Sequence, residues 1–409
     1  SSQASVDGPV FYAGYSAEGY SINRLDDVSA YSQAVSFDAD RLQAVDYVIT
    51  PHQPRDYSAW SNVRPRWWFP AWQFTEQRSE LGLTTAGSDA LAIHNYTLTA
   101  SYDFKLEKPA AQISYAYADR VLLSAIRSNE ITLDSNEQLS RLSKRNILSA
   151  VLAFPDNYIQ KQSNLLFSIT YDNTSDEELA AGVMPLDDLE DNILGAAWLY
   201  NSSVINSLSI SKNDGMSLRL VAEDSDALNS DFTGQVYTFD WRQYIRTGRE
   251  SVFALRLLQG WGTDQPRPFE LGGVISQGDA VNILLGSAYE SVFDNRKYSL
   301  RGYKEGLPQL RGRRAQLLSG EWRFPLQRVE SGIMAPPVGL MQWFGTVFAE
   351  TGSAYQDSPE KYYTSLGVEI DADISLFYNV LLRVSAGLAH GFDDELGDDM
   401  AYLRIGSSF

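Results

Sequence analysis

Between Asn95 and Leu106 the chain alternates without a break. Tyr96, Leu98, Ala100, Tyr102, Phe104 and Leu106 fall on one side, and Asn95, Thr97, Thr99, Ser101, Asp103 and Lys105 on the other. Successive strand side chains point to opposite faces, so a period of two predicts a strand that is apolar on one face and polar, even charged, on the other. The scheme returns from Val236 to Ile245, with Tyr237, Phe239, Trp241 and Ile245 set against Thr238, Asp240 and Arg242. Near the end, Leu382, Val384, Ala386 and Leu388 alternate with Arg383, Ser385 and Gly387. A soluble sandwich could use such strands with the apolar face inward. The length from Asn95 to Leu106 favours a membrane instead, because it exceeds the usual soluble strand of about 5–6 residues and meets the roughly 9–11 that a tilted strand needs to cross hydrocarbon.

About sixteen such segments fit between Arg66 and Phe409, some separated by short turns such as Glu107-Lys108-Pro109 and Asn213-Asp214-Gly215, others by long polar loops. An even count with short turns at one end and long loops at the other predicts an all-β fold, a 16-stranded antiparallel transmembrane β-barrel. Composition agrees. The 409 residues include 12% aromatics, yet no run of eighteen apolar residues occurs, which excludes a membrane-spanning helix.

The formal net charge of -19 argues against a nucleic-acid partner, since phosphate binding needs a clustered positive face. Cysteine is absent, and the three histidines, His52, His94 and His390, are scattered. There is thus no disulfide framework and no metal-ligand spacing, nor does any serine nucleophile elbow, phosphate loop or zinc motif appear. The expectation is a protein without catalytic chemistry or cofactor. Two acidic stretches, Ser175–Glu178 with Asp187–Asp191 and Asp393–Glu395 with Asp398-Asp399, read as solvated loop tips. The sharper alternative is bridging by divalent cations to anionic lipid headgroups.

Residues 1–65 differ in kind. "VFYAGYSAEGYSINRL", Val10 to Leu25, resembles one blade hairpin of the TolB-type β-propellers, and a single blade cannot bury its own faces. Residues 1–50 are therefore expected to be a propeller-blade remnant or periplasmic segment of a chain that extends upstream; Ser1–Ala4 has no basic or apolar leader character, so an exported chain is expected to be either mature or part of a longer one. Pro54, Pro65 and Pro70 and the tryptophans Trp60, Trp67 and Trp68 cluster between His52 and Pro70. Residues 51–65 accordingly read as a linker entering the membrane interface, where Trp is favoured. Residues 66–409 are the barrel.

From Tyr298 to Leu326 the acidic chain concentrates six Lys or Arg against two Glu. "LRGY" at Leu300–Tyr303, "GEWRFPL" at Gly320–Leu326 and "FAETG" at Phe348–Gly352 together resemble the bacterial surface-antigen barrels, the superfamily of the insertase BamA and the translocation factor TamA. The resemblance covers roughly Pro65 to Phe409. It implies that a long loop after the eleventh strand, starting near Thr263, folds into the lumen and carries Arg301, Gly302 and Tyr303 as its tip. The tip would lock onto wall residues Glu321 on the twelfth strand and Glu350 and Gly352 on the thirteenth. One position departs from the family pattern, which has Asp where this chain has Glu350. The last strand, with Leu403, Ile405 and the terminal Phe409, resembles the signal by which outer-membrane barrels are recognised for assembly, although Ser407 stands where a larger apolar residue is usual.

The resemblance further implies a protein of the Gram-negative bacterial outer membrane, surrounded by lipid and lipopolysaccharide, with its termini in the periplasm. Its function would be insertion, translocation or surface display of other proteins, through a weak seam joining Trp67–Phe74 to Tyr402–Phe409. Pro70 would remove one ladder donor there. The alternative is a non-catalytic anchor for a propeller domain or a larger envelope complex.

Overall fold

A computed structural model describes residues 10–16, 19–26, 57–59, 63–65, 67–74, 77–134, 138–180, 182–185, 188–206, 209–274, 292–376 and 380–406. The chain divides into two compact units, Ser1–Tyr57 and Ser58–Phe409. In the first, β1 (Val10–Ser16) and β2 (Gly19–Leu25) form an antiparallel hairpin that places Val10 opposite Leu25 and Ser16 opposite Gly19. Of the expected linker, residues 51–56 and 60–62 lie outside the described residues.

The second unit is a closed barrel of sixteen antiparallel strands among the described residues. Eleven come first: β3 (Phe69–Phe74), β4 (Ser79–Ser88), β5 (His94–Asp103), β6 (Lys108–Tyr117), β7 (Val121–Leu133), β8 (Leu139–Asn157), β9 (Gln162–Leu179), β10 (Leu189–Asn201), β11 (Gly215–Asp224), β12 (Gln235–Arg246) and β13 (Val252–Gly262). A long connection comes next, containing β14 (Phe269–Leu271), β15 (Lys297–Tyr298) and β16 (Arg311–Gly312). Five strands complete the wall: β17 (Arg314–Met334), β18 (Pro337–Tyr355), β19 (Tyr363–Leu376), β20 (Val380–Gly391) and β21 (Asp399–Gly406). Neighbours in sequence are neighbours in the wall, β13 pairs with β17 across the connection, and β21 closes on β3. An even number of strands brings both ends of the barrel to one side, so the connection between β13 and β17 opens on the other.

The packing is inside-out. On β9, Leu165, Phe167, Ile169 and Tyr171 are 36% to 51% exposed, while Leu166, Ser168, Thr170 and Asp172 between them are buried. Trp198, Trp261, Trp322 and Trp343 also stand on the outside. Water would not tolerate so much apolar surface, whereas hydrocarbon solvates it. Closure satisfies the backbone groups that an open sheet would leave unpaired in lipid.

The structure moves three sequence-based boundaries. Alternation predicts a strand to Leu106, but β5 stops at Asp103, whose Oδ1 accepts the N–H groups of Lys105 (2.9 Å), Leu106 (3.2 Å) and Ser79 (3.1 Å). The turn is therefore Phe104–Glu107, and β6 already begins at Lys108. Asn213-Asp214-Gly215 is not a tight hairpin turn. The connection from β10 to β11 takes in residues 202–214, with Val204 bridged to Asp214, and Gly215 opens β11. The acidic run Ser175–Glu178 is the end of β9 rather than a solvated tip. Asp176 pairs with Arg141, and Glu177 pairs with Lys108 and Arg127, so cross-strand charge pairs extend the sheet past its apolar band.

Candidate functional site

Inside the lumen the long connection builds its own small sheet, β14 pairing in parallel with β15 and antiparallel with β16. Phe269, Leu271, Tyr298, Leu300 and Leu307 from this loop are buried against Ile131, Leu142 and Leu317 of the wall. A charged, partly apolar segment stays in a polar lumen because this core removes its apolar groups from water. Gly352 on β18 is part of the fit: a Cβ there would lie 3.1 Å from the Leu271 side chain and 2.9 Å from the Gln316 carbonyl oxygen. A side chain there would crowd the β17 backbone and force the Leu271 and Leu317 side chains to shift.

Arg301 sits at the centre of the loop's contact with β17, β18 and β19. Its Nε and Nη2 donate to Glu350 Oε1 at 3.0 and 2.5 Å, and its backbone N–H donates to Glu350 Oε2 at 2.9 Å. Nη2 also donates to Glu321 Oε1 at 2.8 Å, and Nη1 lies 3.8 Å from Glu369 Oε2. The guanidinium carbon is 3.4 Å from the centre of the Phe348 ring, so the ion also rests on an aromatic face. All of these side chains are buried. Glu350 reaches the guanidinium with one oxygen and the Arg301 backbone with the other. Gly302 has φ +89°, and a Cβ on it would come within 2.7 Å of the Gly391 nitrogen, so the tip needs glycine for both conformation and closeness to β20. Tyr303 is fully buried, and its hydroxyl donates to the Thr364 carbonyl at 2.7 Å.

The loop is held equally on the far wall. Arg267 pairs with Asp172 at 2.9 Å, Asp294 accepts from Arg145 at 2.5 Å, and Arg296 pairs with Glu223 at 2.6 Å. These contacts reach β8, β9 and β11, of which β8 lies opposite β19 in the sixteen-strand wall and β11 three strands from β17. In the sequence, the run Asp294-Asn295-Arg296-Lys297 just upstream of the tip is the signal that marks this second anchorage. Arg313 and Arg314 turn to the β18–β19 connection: Arg313 pairs with Asp357 and donates to the Gln356 carbonyl, and Arg314 donates to the Asp357 carbonyl. At the opposite mouth, the connection between β10 and β11 folds inward, burying Ile210, Ser211 and Asn213, and Arg383 Nη2 donates to the Ile210 carbonyl at 2.6 Å. The lumen is occupied from both ends.

The seam between β21 and β3 is the thinnest join. Among the described residues these strands pair at two positions, Leu403 with Phe74 and Arg404 with Gln73. By contrast β3 and β4 pair without a break from Phe69 to Phe74, and β17 and β18 pair from Arg314 to Met334 with register shifts at Pro325/Gln327 and Arg328/Ser331. β3 has 6 residues and β21 has 8, against 19 in β8 and 21 in β17. Leu403 faces outward, Ile405 belongs to β21, and Phe409 lies outside the described residues.

No protein-family model matches the sequence, and neither does any curated protein. Solved structures do match. The barrel superposes on BamA from Haemophilus ducreyi lacking POTRA domains 1-3 with a TM-score of 0.55 at 12% identity, covering 83% of this chain and 69% of that one. The fold is that of the BamA barrel. CdiB from Escherichia coli gives a TM-score of 0.52 at 12% identity over 84% of this chain and 63% of its own. CdiB from Acinetobacter baumannii gives 0.52 at 11% identity, over 82% and 58%. The chain thus spans less than two thirds of either CdiB chain. At such identities the likeness concerns the fold alone, and this BamA-like barrel supplies its own argument about function through its lumen loop and its seam.

Proposed function

We propose that this chain is a non-catalytic barrel of the bacterial outer membrane that acts in insertion, translocation or surface display of other proteins. The observation that carries the reading is the seam: among the described residues two paired positions hold β21 to β3, where other neighbours are joined along much of their length. Parting β3 from β21 exposes backbone donors and acceptors on both strands, and an incoming client strand can add to either edge. The six residues of β3 span about 20 Å even untilted. That falls short of an apolar band of about 25 Å, so lipid beside the seam is thinned and easier to cross. The ends of the barrel face the periplasm, the mouth that receives the lumen loop faces outward, and lipid with lipopolysaccharide surrounds the outer face.

Depletion of the protein in its host, followed by quantitative mass spectrometry of the outer-membrane fraction, tests this. Broad loss of other barrels supports an insertase, and loss of one protein or complex supports a dedicated translocator. An unchanged fraction contradicts both. The second reading, an anchor for a propeller domain or a larger envelope complex, is favoured by the separate compact unit Ser1–Tyr57 and its hairpin.

A further inference from the structure

We infer that the loop tip is also a clasp that holds the seam shut from inside the lumen. The inference rests on the reading that the seam opens to a client, and it goes beyond the contact of Arg301 with β17 and β18.

The tip touches both sides of the seam within a few residues. On the side of the last strands, the Gly302 carbonyl accepts the N–H of Asp398 at 3.0 Å, and Lys304 Nζ lies 3.3 Å from Asp398 Oδ2. Asp398 directly precedes β21. On the side of the first strands, Glu305 engages the connection between β3 and β4. Its backbone N–H donates to Gln77 Oε1 at 3.0 Å, and its carbonyl accepts from Gln77 Nε2 at 3.1 Å. Its carboxylate receives Arg78 Nε and Nη2, both at 3.1 Å, in a bidentate fork. Lys297, 3.3 Å from the same carboxylate, belongs to the loop itself and does not cross the seam.

Lys304 and Glu305 are consecutive, so their Cα atoms are about 3.8 Å apart. Two adjacent residues therefore grip opposite sides of the join, which the strands close at two positions among the described residues. The Arg78 and Glu305 side chains are 14% and 16% exposed, which limits the screening that weakens surface ion pairs. The first hairpin, β3 with β4, swings away from β21 only after Glu305 releases Gln77 and Arg78. The lumen loop thus positions the seam, and its withdrawal is the opening step.

The chain has no cysteine, so spin labels can be placed at will. Leu83→Cys on β4 and Leu388→Cys on β20 put labels on outward, exposed positions flanking the seam. Pulsed electron paramagnetic resonance on the full chain in lipid vesicles then reads the distance across it. Glu305→Gln removes the charge from the fork and should raise the population of long distances on the order of tenfold. Should that variant fail to insert, Lys304→Gln, at the more exposed pair with Asp398, is measured instead and should shift the distances in the same direction. Wild-type distances in whichever variant inserts overturn the clasp and leave the proposed function standing. Widened distances support the clasp, even if a covalently sealed seam proves to leave clients unaffected, a result that would overturn only the proposed function.

Discussion

Arg404 Nη2 donates to Glu369 Oε1 at 2.6 Å, and the other oxygen of that carboxylate lies 3.8 Å from Arg301. A β21 residue paired across the seam is therefore fastened to the same carboxylate that faces the loop tip. Tyr402, also on β21, donates to Glu369 Oε2 at 2.7 Å. With Arg323 bound to Glu321 at 2.6 Å, the arginines at 301, 323 and 404 are matched by the glutamates at 321, 350 and 369, a balanced set in a site where an unmatched charge is expensive.

Arg301→Ala leaves Glu321 and Glu350 buried beside an empty space. Removing one partner of a buried pair costs about 3–5 kcal/mol, so the variant barrel should unfold at lower urea concentration and lose its heat-resistant form on gels. Arg301→Lys keeps the charge but not the planar fork, and should fall between the two.

Glu350 makes two jobs out of one side chain, with one oxygen on the guanidinium and the other on the Arg301 backbone. Glu350→Asp cannot reach both without a shift of the wall, and should cost about 1.5–3 kcal/mol for the lost charge-assisted bond. Glu350→Gln removes the charge itself and should cost more. The order of the two in urea unfolding is the test.

Much of this is legible in the sequence. Alternation shows which residues share a face, hence the inside-out wall and the strands to either side of the long loop, and the three motifs bring Arg301 to Glu321 and Glu350. Alternation does not show which positions meet across an open lumen. Nothing near Glu369 or Arg404 marks them as partners, because the pair forms only when β19 and β21 are in register with β20. The end of β5 escapes the pattern for a local reason: the Asp103 carboxylate captures the N–H groups of Lys105 and Leu106 while alternation runs on to Leu106. Ser175–Glu178 misleads because acids look like a loop until Lys108, Arg127 and Arg141 are brought beside them by pairing.

The occupied lumen also predicts a conductance. The purified barrel in a planar bilayer should show no steady wide pore, because loops enter it from both mouths. Deletion of residues 292–310 should raise the conductance above that of the unmodified chain, with the β10–β11 connection still narrowing the opposite mouth. A large steady conductance from the unmodified chain would contradict the packing described for the loop.

The β20–β21 connection supplies a pH dependence. Burial pushes the Asp393 carboxyl up, but the bond from Lys361 and the N–H groups of Leu396 (2.8 Å) and Glu395 (3.0 Å) outweigh it and hold the carboxyl below its ordinary value. A group depressed on folding stabilises above its unfolded value of about 3.9, and that contribution is lost as pH falls through the lower folded value. Protection of the Leu396 amide, measured against its intrinsic exchange rate at each pH, should therefore fall on acidification below that range, and Asp393→Asn should already have lost it at neutral pH.

The most direct test seals the seam. Phe74 and Leu403 stand directly opposite each other, and opposed residues have Cβ atoms about 4.5–5.5 Å apart, close to the roughly 3.5–4.5 Å of a disulfide. A chain carrying Phe74→Cys and Leu403→Cys is expressed in a host depleted of the unmodified protein, and the outer-membrane proteins are quantified. The account predicts that the oxidised barrel fails to restore them and that reduction with dithiothreitol brings them back. Full restoration by a completely cross-linked barrel would contradict it.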